Sequence, residues 1–235
     1  MSVNSVIALI AGYLLGSIPV GLLMVRVIRR RDVTKWYSGR TGGTNVMRVA
    51  GVWAGIGTAI ADALKAALAV WVARALTGGG EPWIEAIAGA LAILGHNHSI
   101  FLIRREDGKI QLRGGAGGAC SFGGAMGLWP PAGLIILPLV AAIFYGIGYA
   151  SVTTMSVSFL AGIIFTIRAA LGLSPWAYVG YAILAELIVI WALRPNIKRL
   201  LNGDERLVGW RARKNIQEEH ENSRQETELT ESEDS

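Results

Sequence analysis

The sequence predicts an all-α integral membrane protein with seven transmembrane helices, and three observations support this fold class. Hydrophobic residues make up 52% of the 235 positions and charged residues only 17%, whereas a soluble domain carries roughly 25% charged residues. The mean hydropathy is +0.44. Several apolar runs reach the length of about 20 residues that a helix needs to cross the hydrocarbon core of a bilayer.

Seven apolar segments are predicted to cross the membrane in turn. Along the chain they lie at residues 4–27, 51–75, 83–103, 114–129, 131–149, 152–172 and 175–193. The fourth is the shortest and is rich in glycine. The first lacks the basic start of a cleavable signal peptide, and its apolar run is long enough to remain as an anchor.

Lysine and arginine concentrate in two of the connections. The connection after the first segment holds Arg29, Arg30, Arg31, Lys35, Arg40 and Arg48, and that after the third holds Arg104, Arg105, Lys109 and Arg113. The connections at 76–82, 129–131 and 173–175 contain neither residue type. Because basic loops are retained on the cytoplasmic side, we expect a multi-pass protein of the cell membrane with its N-terminus outside and its C-terminus in the cytoplasm.

Composition divides the chain into a membrane domain, residues 1–214, and an acidic tail, residues 215–235. The tail holds eight acidic residues and one arginine, a composition that does not bury enough apolar surface to fold. We therefore expect a disordered cytoplasmic tail, which serves either as a docking segment or as a solvated end. The rest of the chain is basic, and its charge suits either anionic lipid headgroups or an anionic substrate.

Three polar clusters are predicted to meet at the cytoplasmic face. They are "YSGRTGGTNVMRVAG" (37–51), "GHNHSIFLIRREDGKIQLRGGAGGA" (95–119) and "RPNIKRLLNGDERLVG" (194–209). In the second cluster, four glycines at 114–118 follow Arg113. Exposed amides at a helix start could hold a phosphate there, although glycines also allow close helix packing, as we expect for Gly12, Gly16 and Gly21.

Several ionisable residues fall within or beside the apolar segments. Asp62 and Lys65 are three residues apart, so they share a helix face and form either a structural ion pair or a pair that orients a basic residue of the site. His96 lies at the end of the third segment, where it is either a headgroup-level polar residue or a catalyst. Cys120, the single cysteine, is expected to be structural. The spacings indicate no metal site, nucleotide loop or serine nucleophile.

Four motifs resemble, in the same order, those of the bacterial acyl-phosphate glycerol-3-phosphate acyltransferases, the PlsY family. They are "GSIPVGLL" (16–23), "SGRTGGTNVMRVAG" (38–51), "GHNHSIFL" with "RGGAGGA" (95–102 and 113–119), and "RPNIKRLLNGDE" (194–205). The resemblance covers nearly everything from residue 12 to 206. It implies a membrane enzyme of phospholipid biosynthesis that needs no cofactor.

The resemblance also implies the reaction and its partners. Family members move a fatty acyl group from acyl phosphate to the sn-1 hydroxyl of glycerol 3-phosphate, which gives 1-acylglycerol 3-phosphate. The implied partners are these two substrates, membrane lipids and a soluble acyl-phosphate-producing enzyme of the PlsX type, with no nucleic acid. Two phosphorylated substrates, one with a long alkyl chain, require a basic, amide-rich pocket beside an apolar groove.

Carried over position by position, the motifs imply a set of site residues. Those expected to act in catalysis are Ser38, His96 and Asn196, and those expected to bind substrate are Thr44, Asn45, Arg48, Arg113, Gly114, Gly115, Gly117, Arg199 and Glu205. The sequence departs from the family pattern at three positions. Arg40 stands where the family has asparagine, Ala116 where it has a second lysine, and Leu193 where it has histidine.

A hypothesis for the mechanism follows from the substrates. Acyl phosphate is already activated, so the site has to orient the acceptor, hold two phosphates together and stabilise the developing oxyanion. We assign the phosphates to Arg48, Arg113 and the 114–118 amides, and the carbonyl or a proton transfer to His96, with no acyl-enzyme. The departures leave open a degenerate or altered-acceptor family member, with Arg40 or Lys109 replacing the missing lysine. A small transporter, suggested by Asp62, Lys65 and Glu186, is the alternative from another class.

Overall fold

The computed structural model describes residues 1–106 and 109–212. Within these residues the chain forms nine α-helices and one antiparallel β-hairpin. The helices are α1 (Val3–Ser17), α2 (Val20–Arg29), α3 (Gly43–Ala50), α4 (Val52–Thr77), α5 (Pro82–Asn97), α6 (Gly118–Leu128), α7 (Ala132–Ile147), α8 (Ala150–Ala170) and α9 (Ala177–Leu201), and the strands are β1 (Ile103–Glu106) and β2 (Lys109–Leu112). The predicted tail, residues 215–235, lies outside the described residues.

Four helical segments are long and apolar enough to cross a membrane. They are Val3–Arg29, Val52–Thr77, Ala150–Ala170 and Ala177–Leu201. Helices α5, α6 and α7 coincide with the third, fourth and fifth predicted segments, but each is shorter than predicted. The seven crossings and the orientation of the termini therefore stay predictions.

The first predicted segment is two helices rather than one. Helix α1 ends at Ser17, Ile18 adopts an extended ψ of 117°, and α2 begins at Val20. Proline has no N–H to donate and disfavours the helical conformation of the residue before it, so Pro19 accounts for the break. The freed carbonyl of Ile18 accepts a hydrogen bond from Lys65 Nζ on α4 at 2.8 Å.

Small residues allow the helices at the centre of the bundle to approach closely. A Cβ atom at Gly12 or Gly16 would lie 2.7 and 2.1 Å from the carbonyl oxygens of Ala88 and Ala92 on α5, and one at Gly21 would lie 1.8 Å from that of Thr41. The predicted close packing between helices is confirmed for Gly12 and Gly16, whereas Gly21 packs against the loop before α3. The central helix α4 packs in turn against α1, α5 and α6, while α8 packs on α9.

Large apolar side chains cover the outside of the bundle. Leu134 on α7 is 81% exposed and Trp53 on α4 is 84% exposed, and exposed leucine, isoleucine and tryptophan side chains continue along α1, α8 and α9. The interior is instead rich in alanine, with Phe165 and Tyr181 among its largest fully buried side chains. A small-residue interior with a greasy exterior is typical of helices that pack within lipid.

The prediction was wrong about residues 98–103 and 114–117, which are not helical continuations of α5 and α6. The third segment was placed at 83–103, but α5 ends at Asn97 and β1 pairs with β2, Ile103 lying opposite Leu112. The fourth segment was placed from residue 114, but α6 begins only at Gly118, because Gly117 has a positive φ of 97° that a continuous helix does not allow. A signal for the hairpin was present, since the Asp-Gly dipeptide between the strands favours tight turns.

Helix α9 runs eight residues beyond the predicted end at 193, so the last polar cluster begins on a helix. After α9 the chain turns back toward the start of α8. The amide of Val208 donates to the carbonyl of Gly148 at 2.8 Å, and Tyr149 forms a β-bridge with Leu207. This return brings Glu205 beside both α8 and α9.

Candidate active site

A cavity of about 300 Å³ opens where the α2–α3 loop, the residues after α5 and helix α9 meet. It is lined by Ser38, Gly39, Arg40, Asn97, His98, Leu112, Arg113, Gly114, Gly115 and Ala192. Backbone hydrogen bonds join the segments, since the Thr41 amide donates to the Gly114 carbonyl at 3.2 Å and the Gly115 amide to the His96 carbonyl at 2.9 Å. Two of the three predicted polar clusters thus share one wall, and α9 supplies the other.

The buried side chain of Asn45 stabilises the α2–α3 loop by hydrogen bonds to its backbone. Its side chain is 3% exposed, and its Nδ2 donates to the carbonyl oxygens of Val33, Trp36 and Arg40 at 2.8–3.3 Å. Its Oδ1 accepts from the Ser38 amide at 3.4 Å. Asn45, predicted to bind substrate, is therefore placed to position the loop that presents Ser38 and Arg40.

Loss of the Asn45 amide should destabilise this loop. An Asn45→Ala variant removes the side-chain donor that serves three carbonyl groups. The carbonyls of Val33 and Trp36 keep a backbone donor, but the Arg40 carbonyl loses its donor at 2.8 Å, and an unsatisfied polar group costs about 1–3 kcal/mol. We expect a lower thermal unfolding temperature in detergent. Thr44→Ala is the control, because Thr44 is exposed on the adjacent position of α3 and its loss should leave the unfolding temperature unchanged. Equal unfolding temperatures for the two variants would contradict this role of Asn45.

Arg40 joins the glycine segment, residues 114–118, to α9 across the cavity. Its Nη1 donates to the Gly115 carbonyl at 3.1 Å, and its Nη2 donates to the Ala192 carbonyl at 2.5 Å and to Asn196 Oδ1 at 3.4 Å. Burial lowers the pKa of Arg40 from its ordinary value, and the nearby charge of Arg199 lowers it further. These acceptors are neutral, so the guanidinium keeps its positive charge uncompensated by them and is suited to an anion.

The glycines at 114–117 are required by close contact with α5. A Cβ atom at Gly114 would lie 2.0 Å from the His96 carbonyl oxygen, and one at Gly115 would lie 1.9 Å from His96 Nε2. Gly117 has the positive φ noted above, and its Cβ would lie 3.0 Å from Asn97 Oδ1. Packing therefore explains these glycines. The Gly115 N–H already donates a hydrogen bond to the His96 carbonyl, so only the other N–H groups of the segment could donate to an anion.

A buried charged network lies behind the glycine segment. Lys65 Nζ is 2.7 Å from Asp62 Oδ1 and 3.1 Å from His96 Nδ1, and all three side chains are at most 6% exposed. The predicted Asp62–Lys65 ion pair is confirmed. Cys120 lies alongside, where its Sγ donates to the Asp62 carbonyl at 3.2 Å. Asp62, His96 and Cys120 are close enough to share a metal ion, but the Lys65 ammonium already supplies the positive charge between them.

Helix α9 contributes an amide held in place by a carboxylate. Asn196 Nδ2 donates to Glu205 Oε1 at 3.0 Å, while Ser151 Oγ donates to Glu205 Oε2 at 2.5 Å. Glu205 thereby ties the Asn196 side chain to the start of α8. The Asn196 side-chain amide therefore lies between two charged groups. Its Oδ1 accepts from the Arg40 guanidinium, and its Nδ2 donates to the Glu205 carboxylate.

The structure gathers part of the predicted set into the cavity and places the rest around it. Ser38, Arg113, Gly114 and Gly115 line the cavity, and Asn196 reaches it through Arg40. His96 and Gly117 contact the wall from outside the cavity, and Asn45 supports the loop that forms part of it. Glu205 hydrogen-bonds Asn196, Arg199 lies near Arg40, and Thr44 and Arg48 lie on α3 outside the lining. Desolvation and the charge of Arg206 lower the pKa of Arg48, whereas Tyr37 and Glu205 raise it, which places α3 beside the returning chain.

Besides Arg40, a departure from the family pattern, five lining residues are absent from the predicted set of site residues: Gly39, Asn97, His98, Leu112 and Ala192. Asn97 is 5% exposed, and both its Oδ1 and Nδ2 are buried without a hydrogen-bond partner within residues 1–106 and 109–212. A buried amide without partners costs free energy unless a ligand or water satisfies it. No spacing in the sequence could have marked Asn97, because only the fold brings it against Gly117.

The fold and the site define a class of protein, a helical membrane protein with a cavity lined by two arginines. Residues 6–203 match the family model described as glycerol-3-phosphate acyltransferase, and the chain belongs to this family. It is therefore an integral membrane acyltransferase of lipid biosynthesis.

Relatives and solved structures agree with this assignment. A glycerol-3-phosphate acyltransferase of Rubrobacter xylanophilus is 35% identical over 88% of this chain and 96% of its own, and one of Thermus thermophilus is 37% identical over 87% and 95%. The crystal structure of PlsY (YgiH), an integral membrane glycerol 3-phosphate acyltransferase, in its glycerol 3-phosphate form superposes with a TM-score of 0.74 at 27% identity, covering 87% of this chain and 96% of that one. Its lysophosphatidic acid form gives 0.72.

Proposed function

We propose that this protein transfers a fatty acyl group from acyl phosphate to the sn-1 hydroxyl of glycerol 3-phosphate. The observation that carries the proposal is the basic cavity in which Ser38, Arg40 and Arg113 meet, at the edge of a bundle whose outside is apolar. Two phosphates can be held there while an alkyl chain stays against the lipid-facing helices. The relatives named as glycerol-3-phosphate acyltransferases support the acceptor.

The lining residues divide into roles that suit such a transfer. Arg113 and Arg40 bind the two phosphates and offset their mutual repulsion. Ser38 and Asn196 position the acceptor hydroxyl, which is itself the nucleophile. Arg48 and Arg199, exposed at the edge, attract the anionic substrates, with Thr44 and Glu205 beside them. The Cys120 thiol is buried and hydrogen-bonded to the Asp62 carbonyl. It is therefore not placed to act as a nucleophile, and the proposed transfer proceeds without an acyl-enzyme.

The topology belongs to the same proposal. With seven crossings and an external N-terminus, the cavity and the basic loops face the cytoplasm, where a soluble PlsX-type enzyme can deliver acyl phosphate. Residues of the two basic connections, Arg40 and Arg113, line the cavity, which supports this arrangement because basic connections are retained on the cytoplasmic side. In this proposal the acidic tail, residues 215–235, serves either as a docking segment or as a solvated end.

Turnover without coenzyme A tests the reaction. The purified protein in lipid vesicles should convert acyl phosphate and glycerol 3-phosphate to 1-acylglycerol 3-phosphate in the absence of coenzyme A and carrier protein. Absence of product with uptake of either solute would instead indicate a transporter. Within the described helices the carboxylates that suggested transport are paired, Asp62 with Lys65 and Glu186 with Ser158.

Loss of Arg113 should remove a charge-assisted phosphate contact. Such a contact is worth about 1.5–3 kcal/mol, or roughly ten- to a hundredfold, so Arg113→Ala should reduce kcat/KM for a phosphorylated substrate by that factor. Arg29→Ala, which removes an exposed arginine at the end of α2, should keep kcat/KM within about twofold. Equal losses in both variants would show that net charge, and not the cavity, determines turnover.

A further inference from the structure

Three acceptors surround the ammonium group of Lys65. The Asp62 carboxylate lies at 2.7 Å, the carbonyl of Ile18 at 2.8 Å and His96 Nδ1 at 3.1 Å. A lysine ammonium has three hydrogens and no lone pair. The ammonium hydrogen-bonds the Ile18 carbonyl and His96 Nδ1 and forms an ion pair with the Asp62 carboxylate. A proton on His96 Nδ1 would set two donors against each other, because the ammonium has no lone pair to accept it.

His96 Nδ1 must then accept a hydrogen bond, which fixes the state of the imidazole. A neutral imidazole that accepts at Nδ1 carries its proton on Nε2. The competing partner is Asp62, whose Oδ1 lies 3.5 Å from Nδ1, beyond the usual 2.7–3.2 Å of an N–H···O bond. Lys65, at the shorter distance, therefore decides the tautomer.

The Nε2 side of the ring faces the wall of the cavity. A Cβ atom at Gly115 would lie 1.9 Å from Nε2, and Gly115 itself lines the cavity. The absence of a side chain at this position brings the ring edge close to the segment that any bound substrate would contact. A hydrogen on Nε2 is thus directed toward the cavity side of the network.

We propose that Lys65 is a positioning residue that fixes His96 as the Nε2–H tautomer, so that His96 presents a hydrogen-bond donor and not a base to the site. This inference rests on the proposed function for its effect on turnover, but the tautomer itself does not depend on it. A donor at this position stabilises negative charge on a substrate oxygen. It has no lone pair with which to take a proton from the acceptor.

Nitrogen-15 NMR of histidine-labelled protein in detergent tests the tautomer directly. The His96 resonances are assigned by their loss in His96→Gln, and the couplings of each ring nitrogen to the ring carbon protons distinguish the two tautomers. We expect Nε2–H in the wild type. In Lys65→Met the donor is lost and Asp62 becomes the neighbour of Nδ1, so the proton should move to Nδ1. In Asp62→Asn the Lys65 hydrogen bond remains, and Nε2–H should persist.

Kinetics of the same variants test the positioning role. Removal of a preorganised donor costs about 10²–10³ in kcat, so Lys65→Met should lose kcat by about 100-fold with little change in KM for glycerol 3-phosphate. A purely structural role would lower the yield of folded protein without separating kcat from KM. An Nδ1–H tautomer in the wild type overturns the proposal even if Lys65→Met fails to fold. Wild-type protein with the Nε2–H tautomer and no turnover would contradict the proposed function and leave this assignment standing.

Discussion

A Gly115→Ala variant is expected to lose most of its turnover while the bundle stays folded. The added methyl group would lie 1.9 Å from His96 Nε2, and the ring cannot simply rotate away because Lys65 holds its other nitrogen at 3.1 Å. Either the ring or the glycine segment must move, and overpacking of this kind costs about 1–3 kcal/mol. Since Gly115 also lines the cavity, the displacement falls on the reacting groups.

Gly146→Ala is the matched control for this variant. Gly146 lies within α7, and among residues 1–106 and 109–212 no atom outside its own stretch of helix lies within 4 Å of the Cβ that a substitution would add. Alanine is favoured over glycine inside a helix, so this variant should match the wild type in turnover and unfolding temperature. Wild-type turnover in Gly115→Ala would mean that the contact between His96 and the glycine segment is irrelevant to activity.

Variants that restore the family residue at positions 40 and 116 should show whether Arg40 replaces the lysine that the family pattern has at position 116. Arg40 contacts the Gly115 carbonyl at 3.1 Å, next to Ala116, whose methyl group packs against the hydrophobic core. We expect Arg40→Asn to lose roughly ten- to a hundredfold in kcat/KM, because a charge-assisted contact to phosphate disappears. Ala116→Lys alone should not raise activity, since it places a second cation beside Arg40 and disturbs core packing.

The double variant Arg40→Asn/Ala116→Lys completes the cycle. If one cation is needed beside the glycine segment, the double variant should recover activity relative to Arg40→Asn, which gives a positive coupling between the two sites. Kinetics with varied glycerol 3-phosphate and varied acyl phosphate would assign the cation to one phosphate. Additive effects of the two substitutions would contradict the replacement of the lysine by Arg40.

Much of the bundle could be predicted because the signal is spread over many residues. An apolar run of about 20 residues remains recognisable whatever its neighbours do. Helices α4 to α9 accordingly coincide with the predicted segments, whereas α3 lies in a predicted connection. The Asp62–Lys65 pair was predictable for a similar reason, since their spacing fixes a shared helix face. The site residues carried over from the motifs also converge on one region of the fold.

Other features depend on single residues or on contacts distant in sequence. Pro19 breaks a helix within an apolar run that hydropathy alone reads as continuous. The hairpin at 103–112 rests on local turn chemistry, and Asn97 gains its importance only from the approach of Gly117. Arg40 was recognised as a departure from the family pattern, but its contacts with Ala192 and Asn196 join segments far apart in the chain, and only the fold reveals them.

Helix α6 is short, and its length sets the distance between the polar groups at its two ends. Its 11 residues extend about 16 Å at 1.5 Å per residue, roughly half the 30 Å thickness of a bilayer core. The cavity stands at its first end, and at its other end the Leu128 carbonyl accepts from Arg74, which also binds Glu85. Polar groups therefore lie on either side of α6, about half a bilayer core apart, and under the proposed transfer this short separation lets a water-soluble acceptor and a lipid-dissolved acyl chain approach each other.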